Sequence, residues 1–459
     1  MNKLFLKLSQ LNKFETRLSL LKNTSILSLP SILGILIALV SIPIHLNFNS
    51  KSDYGNYIFF HFIFSFGLLL NFGLNKITVI ELAQKKNISS VIKKSLLFSS
   101  FIFCILLILS FSSSFFFKDL NYLLTISVGI GITIIYITLE GILQGIKKFK
   151  LLSIGNFIFH TLSLNIPSLS LFLFEMDFIK LIKISIVIKL ISIIIISVYL
   201  RKYFFLKEKL NYNFISKLRK YSKWYFLHNL NIQIYDFIDK YLINFFIGPI
   251  ALAIYSIPYQ LAGKITIFSK SIAAVLLPEI SSGNERKNFD YSLNIYTFVV
   301  PLVLLTIFPF LDKLLFFWLN DEYSPQILNL TKVFLIISWI SGISHILIAF
   351  FEGKKEIRFN TILEISFIIP FLICLVLILF SFKNLLYISF ILLLKEYVLF
   401  VVRSNKLQKN IKSLIDIYLN VLFVILILFV SINYEQFFYI AMFFLVIFNV
   451  IVLFKKAYR

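Results

Sequence analysis

Ten charged residues stand in or beside runs of sequence that are otherwise apolar enough to cross a bilayer: Lys76, Lys189, Lys240, Lys264, Lys270, Lys395, Glu140, Asp236, Asp239 and Glu364. A charge at the centre of a membrane helix costs about 2.5–3.5 kcal/mol on insertion scales, so each is a functional candidate by default. A lysine ammonium is a compact point charge that attracts phosphate-type anions without the fork geometry of arginine. A carboxylate there either carries a coupling ion or holds helices together by pairing, and near span ends pairing is the cheaper role. In "YDFIDKYLIN" (235–244), Asp236, Asp239 and Lys240 fall at i, i+3 and i+4, so they share one helical face and an acid can pair with the lysine. Lys264 and Lys270 are six residues apart, about 120° from facing the same way. The competing role for every lysine is snorkelling to an interface or neutralisation by a nearby acid. His61, His160, His228 and His345 titrate near neutral pH and suit proton relay, although a histidine hydrogen-bonded between helices is the commoner case. Nothing in the sequence forms a catalytic constellation, a cysteine or histidine metal site, or a Gly-Lys-Ser/Thr nucleotide loop, so no cofactor is expected.

The elements that must position these charges are membrane helices. The chain is 59% hydrophobic, 17% aromatic and 15% charged, with a mean hydropathy of +0.90. Fourteen span-length runs are predicted, at 24–47, 56–80, 95–117, 120–144, 151–174, 178–200, 221–247, 251–277, 292–317, 326–351, 358–381, 384–404, 414–432 and 435–454. Short alternating strands are missing, which excludes a β-barrel and leaves an all-α polytopic membrane protein.

The net charge of +23 does not imply nucleic acid, because the basic residues alternate with the spans. Lys85, Lys86, Lys93 and Lys94, then Lys147, Lys148 and Lys150, then 201–223, then Arg403 to Lys412 and the tail all fall on one side. The positive-inside rule makes that side, and both termini, cytoplasmic. Residues 1–22 interleave leucines with lysines and suit a helix lying on the inner surface. No small-residue cleavage site follows the first apolar run. Cys104 and Cys374 lie inside predicted spans and read as packing residues.

An internal repeat runs through the chain. Tyr57 and Glu81 are 24 residues apart, as are Tyr255 and Glu279, at a constant offset of 198. "GIKKFKLLSIGN" (145–156) matches "GKKEIRFNTILE" (353–364) at an offset of 208, which pairs Gly145 with Gly353, Lys147 with Lys355 and Lys150 with Arg358. An insertion around "LNDEYSPQ" reconciles the offsets. The predicted organisation is a basic segment 1–22, a six-helix lobe 23–200, a basic linker 201–223, a second six-helix lobe 224–404, and two extra helices with a basic tail over 405–459. Duplicated bundles are a common transporter plan, with a substrate site between halves that rock against each other.

Three stretches resemble the polysaccharide and O-antigen repeat-unit flippases of the multidrug/oligosaccharidyl-lipid/polysaccharide exporter superfamily. "DYGNYIFFHFIFSFGLLLNFGLNKITVIELAQ" (53–84) is similar to their first-half signature, and "LEGILQGIKKFKLLSIGN" (139–156) to their fourth-to-fifth span connection. "DKYLINFFIGPIALAIYSIPYQLAGKI" followed by "LLPEIS" is similar to the seventh-to-eighth signature, in which an acid–base pair, here Asp239 and Lys240, precedes a glycine-to-tyrosine turn. One departure is Ile80, where many relatives carry a basic residue; Lys76 lies one turn earlier. The resemblance implies a bacterial inner-membrane transporter whose substrate is a glycan repeat unit on undecaprenyl diphosphate, moved between leaflets for O-antigen, lipopolysaccharide or capsule. It also implies a central cavity lined by the first, second, seventh and eighth spans, which favours Lys76, Lys240, Lys264 and Lys270 over Lys189 and Lys395 as substrate cations. Membrane lipids, a coupling proton or sodium ion, a polysaccharide polymerase and a chain-length regulator are the implied partners. Asp236, outside the acid–base pair, is the expected coupling residue, and Glu140 and Glu364 are expected ion pairs.

Two other functions compete. A cation-coupled multidrug exporter of the same superfamily takes cationic substrates, which a lysine-rich cavity opposes. A membrane polysaccharide polymerase or glycosyltransferase needs a large external loop with polar catalytic residues, and the external loops here are short.

Overall fold

The computed structural model describes residues 2–48, 51–84, 88–113, 120–204, 213–283, 287–319, 323–407 and 417–427. These residues are helical almost throughout and contain no strand. The helices are α1 (Asn2–Phe48), α2 (Lys51–Leu70), α3 (Leu74–Ala83), α4 (Ile88–Ser113), α5 (Leu120–Gly145), α6 (Phe149–Asn156) and α7 (Ser163–Ser170), with a π-helical turn, Phe157–Leu162, joining the last two. There follow α8 (Phe178–Phe204), α9 (Asn213–Phe246), α10 (Pro249–Gly263), α11 (Thr266–Ser281), α12 (Lys287–Leu319), α13 (Pro325–Gly353), α14 (Ile357–Ser381) and α15 (Leu385–Lys406). Among the described residues six helices are long and apolar enough to cross a membrane, and nine if each bent pair is one span. The chain is a polytopic, multi-pass membrane protein. The last two expected spans fall outside the described residues apart from Ile417–Ile427. The side chains of the basic N-terminal segment up to Arg17 fall outside them as well.

The chain divides into two compact units, one of Met1–Leu230 with Leu277–Glu285, the other of Asn231–Leu276 with Arg286–Arg459. In the first, α5 packs on α2, α3, α4 and α8, and α1 packs on α6 and α7. In the second, α13 packs on α10, α12 and α15, and α14 packs on α15.

Hydropathy read three of the spans as straight, and the structure breaks them. The run at 56–80 bends by 51° between Leu70 and Leu74. There Phe72 and Gly73 take φ of 51° and 72°. Asn71 holds the corner: its side-chain oxygen accepts from the Asn75 backbone N–H at 3.0 Å, and its amide donates to Thr138 Oγ1 at 3.0 Å. The run at 292–317 bends by 50° between Leu304 and Thr306. Pro309 lies four residues past Leu305, whose backbone carbonyl loses its helical donor and meets the ring. The run at 251–277 bends by 41° at Lys264–Ile265.

The repeat is visible as one backbone turn made twice. Helix α5 ends at Gly145 and α13 at Gly353; Lys147 and Lys355 both have left-handed φ, 59° and 64°. The Lys148 N–H bonds to the Leu143 carbonyl at 2.8 Å, and the Glu356 N–H to the Phe351 carbonyl at 2.7 Å. Each turn therefore closes its helix with a wide bond that satisfies an end carbonyl.

The cysteines correct the packing expectation. Cys104 and Cys374 are both exposed, on outward faces of α4 and α14 where neighbouring residues such as Phe101, Ile108, Ile373 and Leu377 are exposed too.

Candidate functional site: two intramembrane charge clusters

In the second unit the charges gather around α9. The helical spacing sets Tyr235, Asp236, Asp239 and Lys240 on one side of it. Asp239, only 1% exposed, accepts from Tyr255 Oη at 2.6 Å, and Lys240 Nζ lies 3.3 Å from its other oxygen. Lys240 Nζ also donates to the Asp236 backbone carbonyl at 2.6 Å and sits 3.7 Å from the centre of the Tyr259 ring. The lysine thus has a carboxylate, a carbonyl and a π face, which together offset its desolvation. Asp236 is exposed, and its carboxylate accepts from Tyr259 Oη at 3.3 Å. The sequence left Asp236 without a partner; Tyr259, 23 residues on, supplies one, and Lys240, Lys270 and Lys395 are its electrostatic neighbours. Phe334 meets both tyrosine rings edge-on and fixes them against α13.

Further along the same unit, Lys395 pairs with Glu396 at 3.0 Å, with its ammonium 4.2 Å from the Tyr235 ring and 5.2 Å from Phe371. Tyr235 Oη donates to the Glu364 backbone carbonyl at 2.7 Å. The Glu364 carboxylate meets Arg403 Nη2 at 2.6 Å, and Asn360 bridges them, accepting from Arg403 Nε at 2.8 Å and donating to Glu364 at 3.0 Å. In the sequence Arg403 opens the basic flank of a span end. It is 2% exposed and belongs to the helix interior, a role that nothing in its local context signals.

The first unit holds a different cluster. Lys189, on α8, is 5% exposed and lies 4.7 Å from the Phe64 ring and 5.1 Å from the Phe159 ring. His61 on α2 and His160 in the π-helical turn are its electrostatic neighbours. Among the described residues no carboxylate pairs with it. The π turn adds a residue to the helix and swings Phe159 inward, where it stacks on Tyr136 at 3.7 Å. Tyr136 Oη donates to Asn156, whose amide reaches Glu140 at 3.5 Å, and Lys76 is the cation that acts on Glu140.

The six candidate lysines therefore sort into two groups. Lys76, Lys240 and Lys395 each have an acid: Glu140, Asp239 and Glu396. Lys189 is caged by rings, while Lys264, at the break between α10 and α11, and Lys270 are exposed and have no ion pair among the described residues. Lys270 acts on both Asp236 and Lys264. Sequence reasoning missed Tyr255 and Tyr259 as donors to the acids. Their phenols at a four-residue spacing, with the acids on the preceding helix, are the signal that was available.

These clusters lie within a helical, multi-pass membrane protein of two units. A sequence profile of the polysaccharide biosynthesis protein family matches residues 20–284, more than half of the chain, and the chain belongs to that family. A Shigella flexneri protein provisionally described as an O-antigen transporter is 19% identical over 239 residues, 51% of this chain and 57% of the relative's length. The match thus spans little more than half of that relative. The fold is shared with several solved transporters. An outward-facing multidrug-resistance MATE transporter superposes with a TM-score of 0.66 at 13% identity, over 83% of this chain and 93% of that one. A Pyrococcus furiosus member, described as having a binding pocket of reversed polarity, gives 0.67 at 14% identity over 85% and 97%. A Vibrio cholerae MATE transporter gives 0.67 at 13% over 88% and 100%.

Proposed function

We propose that the protein is a flippase that carries a glycan repeat unit on undecaprenyl diphosphate from the inner to the outer leaflet of the bacterial cytoplasmic membrane, for O-antigen, lipopolysaccharide or capsule synthesis. Membership of the polysaccharide biosynthesis family is the observation that carries this reading. The proposed arrangement is fourteen spans, as lobes 23–200 and 224–404 joined by 201–223 and followed by two helices, with both termini cytoplasmic. The lobes alternate access to the two sides. Lys264, Lys270 and Lys189, the lysines without a paired acid, supply the positive charge for the diphosphate. Lys76, Lys240 and Lys395 contribute less because acids already offset them. Asp236, the exposed carboxylate on which Lys270 acts, is the proposed site for a coupling proton or sodium ion, and Asp239, Glu140 and Glu364 hold helices. A polymerase and a chain-length regulator then take up the product.

The test is deletion followed by localisation of undecaprenyl-linked repeat units. Their accumulation on the inner leaflet supports the reading, and unchanged distribution refutes it. In a complemented strain, Lys264→Gln should lower export by about tenfold, the worth of one charge-assisted contact of roughly 1.5 kcal/mol. Full export by that variant removes Lys264 from the site. The second reading, a cation-coupled multidrug exporter, draws on the superposition with MATE transporters and predicts drug resistance that the deletion abolishes.

A further inference from the structure

At the end of α5 the first unit has a cavity of about 370 Å³ whose lining includes Lys147, Lys148 and Lys150. Apart from Asn23 of α1 and Tyr199 of α8, the rest of the lining is apolar: Ile26 of α1 with Phe149, Leu151 and Ile154 of α6. All three lysines are exposed, none has an ion pair or hydrogen-bonded side-chain partner among the described residues, and no acid lines the cavity. Lys147 follows the last residue of the span Tyr122–Gly145 by two positions, and Tyr199, which also lines the cavity, precedes the end of the span Ile179–Arg201 by two. The cavity is therefore level with the lipid headgroups, where tyrosine also concentrates.

Abundant lysine at a span end needs no ligand to explain it. The duplicated turn separates that effect from a site. Its second copy has the same backbone, with Lys355 in the same left-handed conformation as Lys147, but Glu356 stands where the first copy has Lys148. The second copy keeps cations at Lys355 and Arg358 but has an acid between them, so the fold does not require a basic residue at the Lys148 position. The first copy alone sets three uncompensated ammonium groups beside an apolar slot, a positive head over a greasy wall.

We propose that this cavity binds one anionic phospholipid, its phosphate among Lys147, Lys148 and Lys150 and the start of an acyl chain against Ile26, Leu151 and Ile154. The charge pattern selects a net-negative headgroup over a zwitterionic one, and the apolar wall selects a lipid over a free phosphate. The site is independent of what the protein transports.

Native mass spectrometry of the purified full chain, titrated with phosphatidylglycerol and with phosphatidylethanolamine, tests it. Phosphatidylglycerol should bind at least tenfold more tightly. The K147N/K148Q/K150Q variant, with asparagine chosen for the left-handed position, should lose that preference, by on the order of 100-fold for three surface charges. The matching change at the second turn, K355N/R358Q, should leave it intact. Should the triple variant fail to fold, K148Q/K150Q keeps the turn residue and should lose about 20-fold. Equal binding of the two lipids, retention by both site variants, equal loss in the second-turn control, or thermal protection by inorganic phosphate equal to that by phosphatidylglycerol overturns the proposal.

Discussion

Glu364 can be separated from the coupling machinery by a double-mutant cycle with Arg403. The pair is buried, with side chains 6% and 3% exposed and 2.6 Å between charged atoms, and Asn360 bonds to both. Glu364→Leu strands a guanidinium among α14 and α15, and Arg403→Met strands a carboxylate. Each should cost about 3–5 kcal/mol, the loss seen when one partner of a buried pair is removed. The double variant removes both desolvation penalties with the attraction, so it should come within about 1–2 kcal/mol of the native protein. The coupling energy, about 3 kcal/mol or more, lies well outside the scatter of independent sites. Unfolding by SDS in mixed micelles measures the stabilities, and export of lipid-linked glycan measures function. The double variant should export normally. If the single losses add, or if the double variant folds but does not export, Glu364 is not the structural acid inferred here.

Lys189→Met tests the caged ammonium. Its insertion cost of about 3 kcal/mol is close to what two desolvated ring contacts return, roughly 2 kcal/mol each, so stability should shift by no more than about 1 kcal/mol while export falls at least tenfold. A large stability change with normal export would show a purely structural lysine. Gly73→Ala places a Cβ 2.1 Å from the Tyr225 Cβ at a φ of 72°, and should cost about 2 kcal/mol or more in the same unfolding assay. Native stability in that variant would remove the bend between α2 and α3 as a requirement of the fold.

Much of the helix layout was legible in hydropathy. The predicted spans 120–144, 358–381 and 384–404 correspond to α5 at Leu120–Gly145, α14 at Ile357–Ser381 and α15 at Leu385–Lys406. Their ends are marked by glycine, charge or asparagine, where apolar sequence stops. The interior breaks were not legible, since an average over some twenty residues cannot see the left-handed corner at Phe72–Gly73 or the carbonyl freed at Leu305. Charge pairing was legible only where it is local. Asp239 with Lys240 and Lys395 with Glu396 are chain neighbours, whereas Arg403 and Glu364 are 39 residues apart. The ring cage of Lys189 was hidden by abundance: with 54 phenylalanines, most helical faces offer a ring, and only coordinates say which one is over the ammonium.

That cage has a counterpart. Lys189 and Lys395 hold near-equivalent places in the sequence repeat, and each ammonium lies over two rings, one of them from the helical segment just before its own: Phe159 for Lys189 and Phe371 for Lys395. Two copies of one device indicate that the cation–ring arrangement belongs to the repeated unit and was not acquired separately on each side. What distinguishes them is the next residue. Glu396 lies 3.0 Å from Lys395 and leaves only the weaker, faster-decaying field of a dipole, whereas Lys189 is followed by Leu190. A carboxylate in one copy thus neutralises a shared cation within its own helix, and the other copy has no such neighbour in sequence. On that reasoning Lys189→Met should lower export more than Lys395→Met, and equal losses in the two variants would refute the distinction between two lysines that the sequence ranks together.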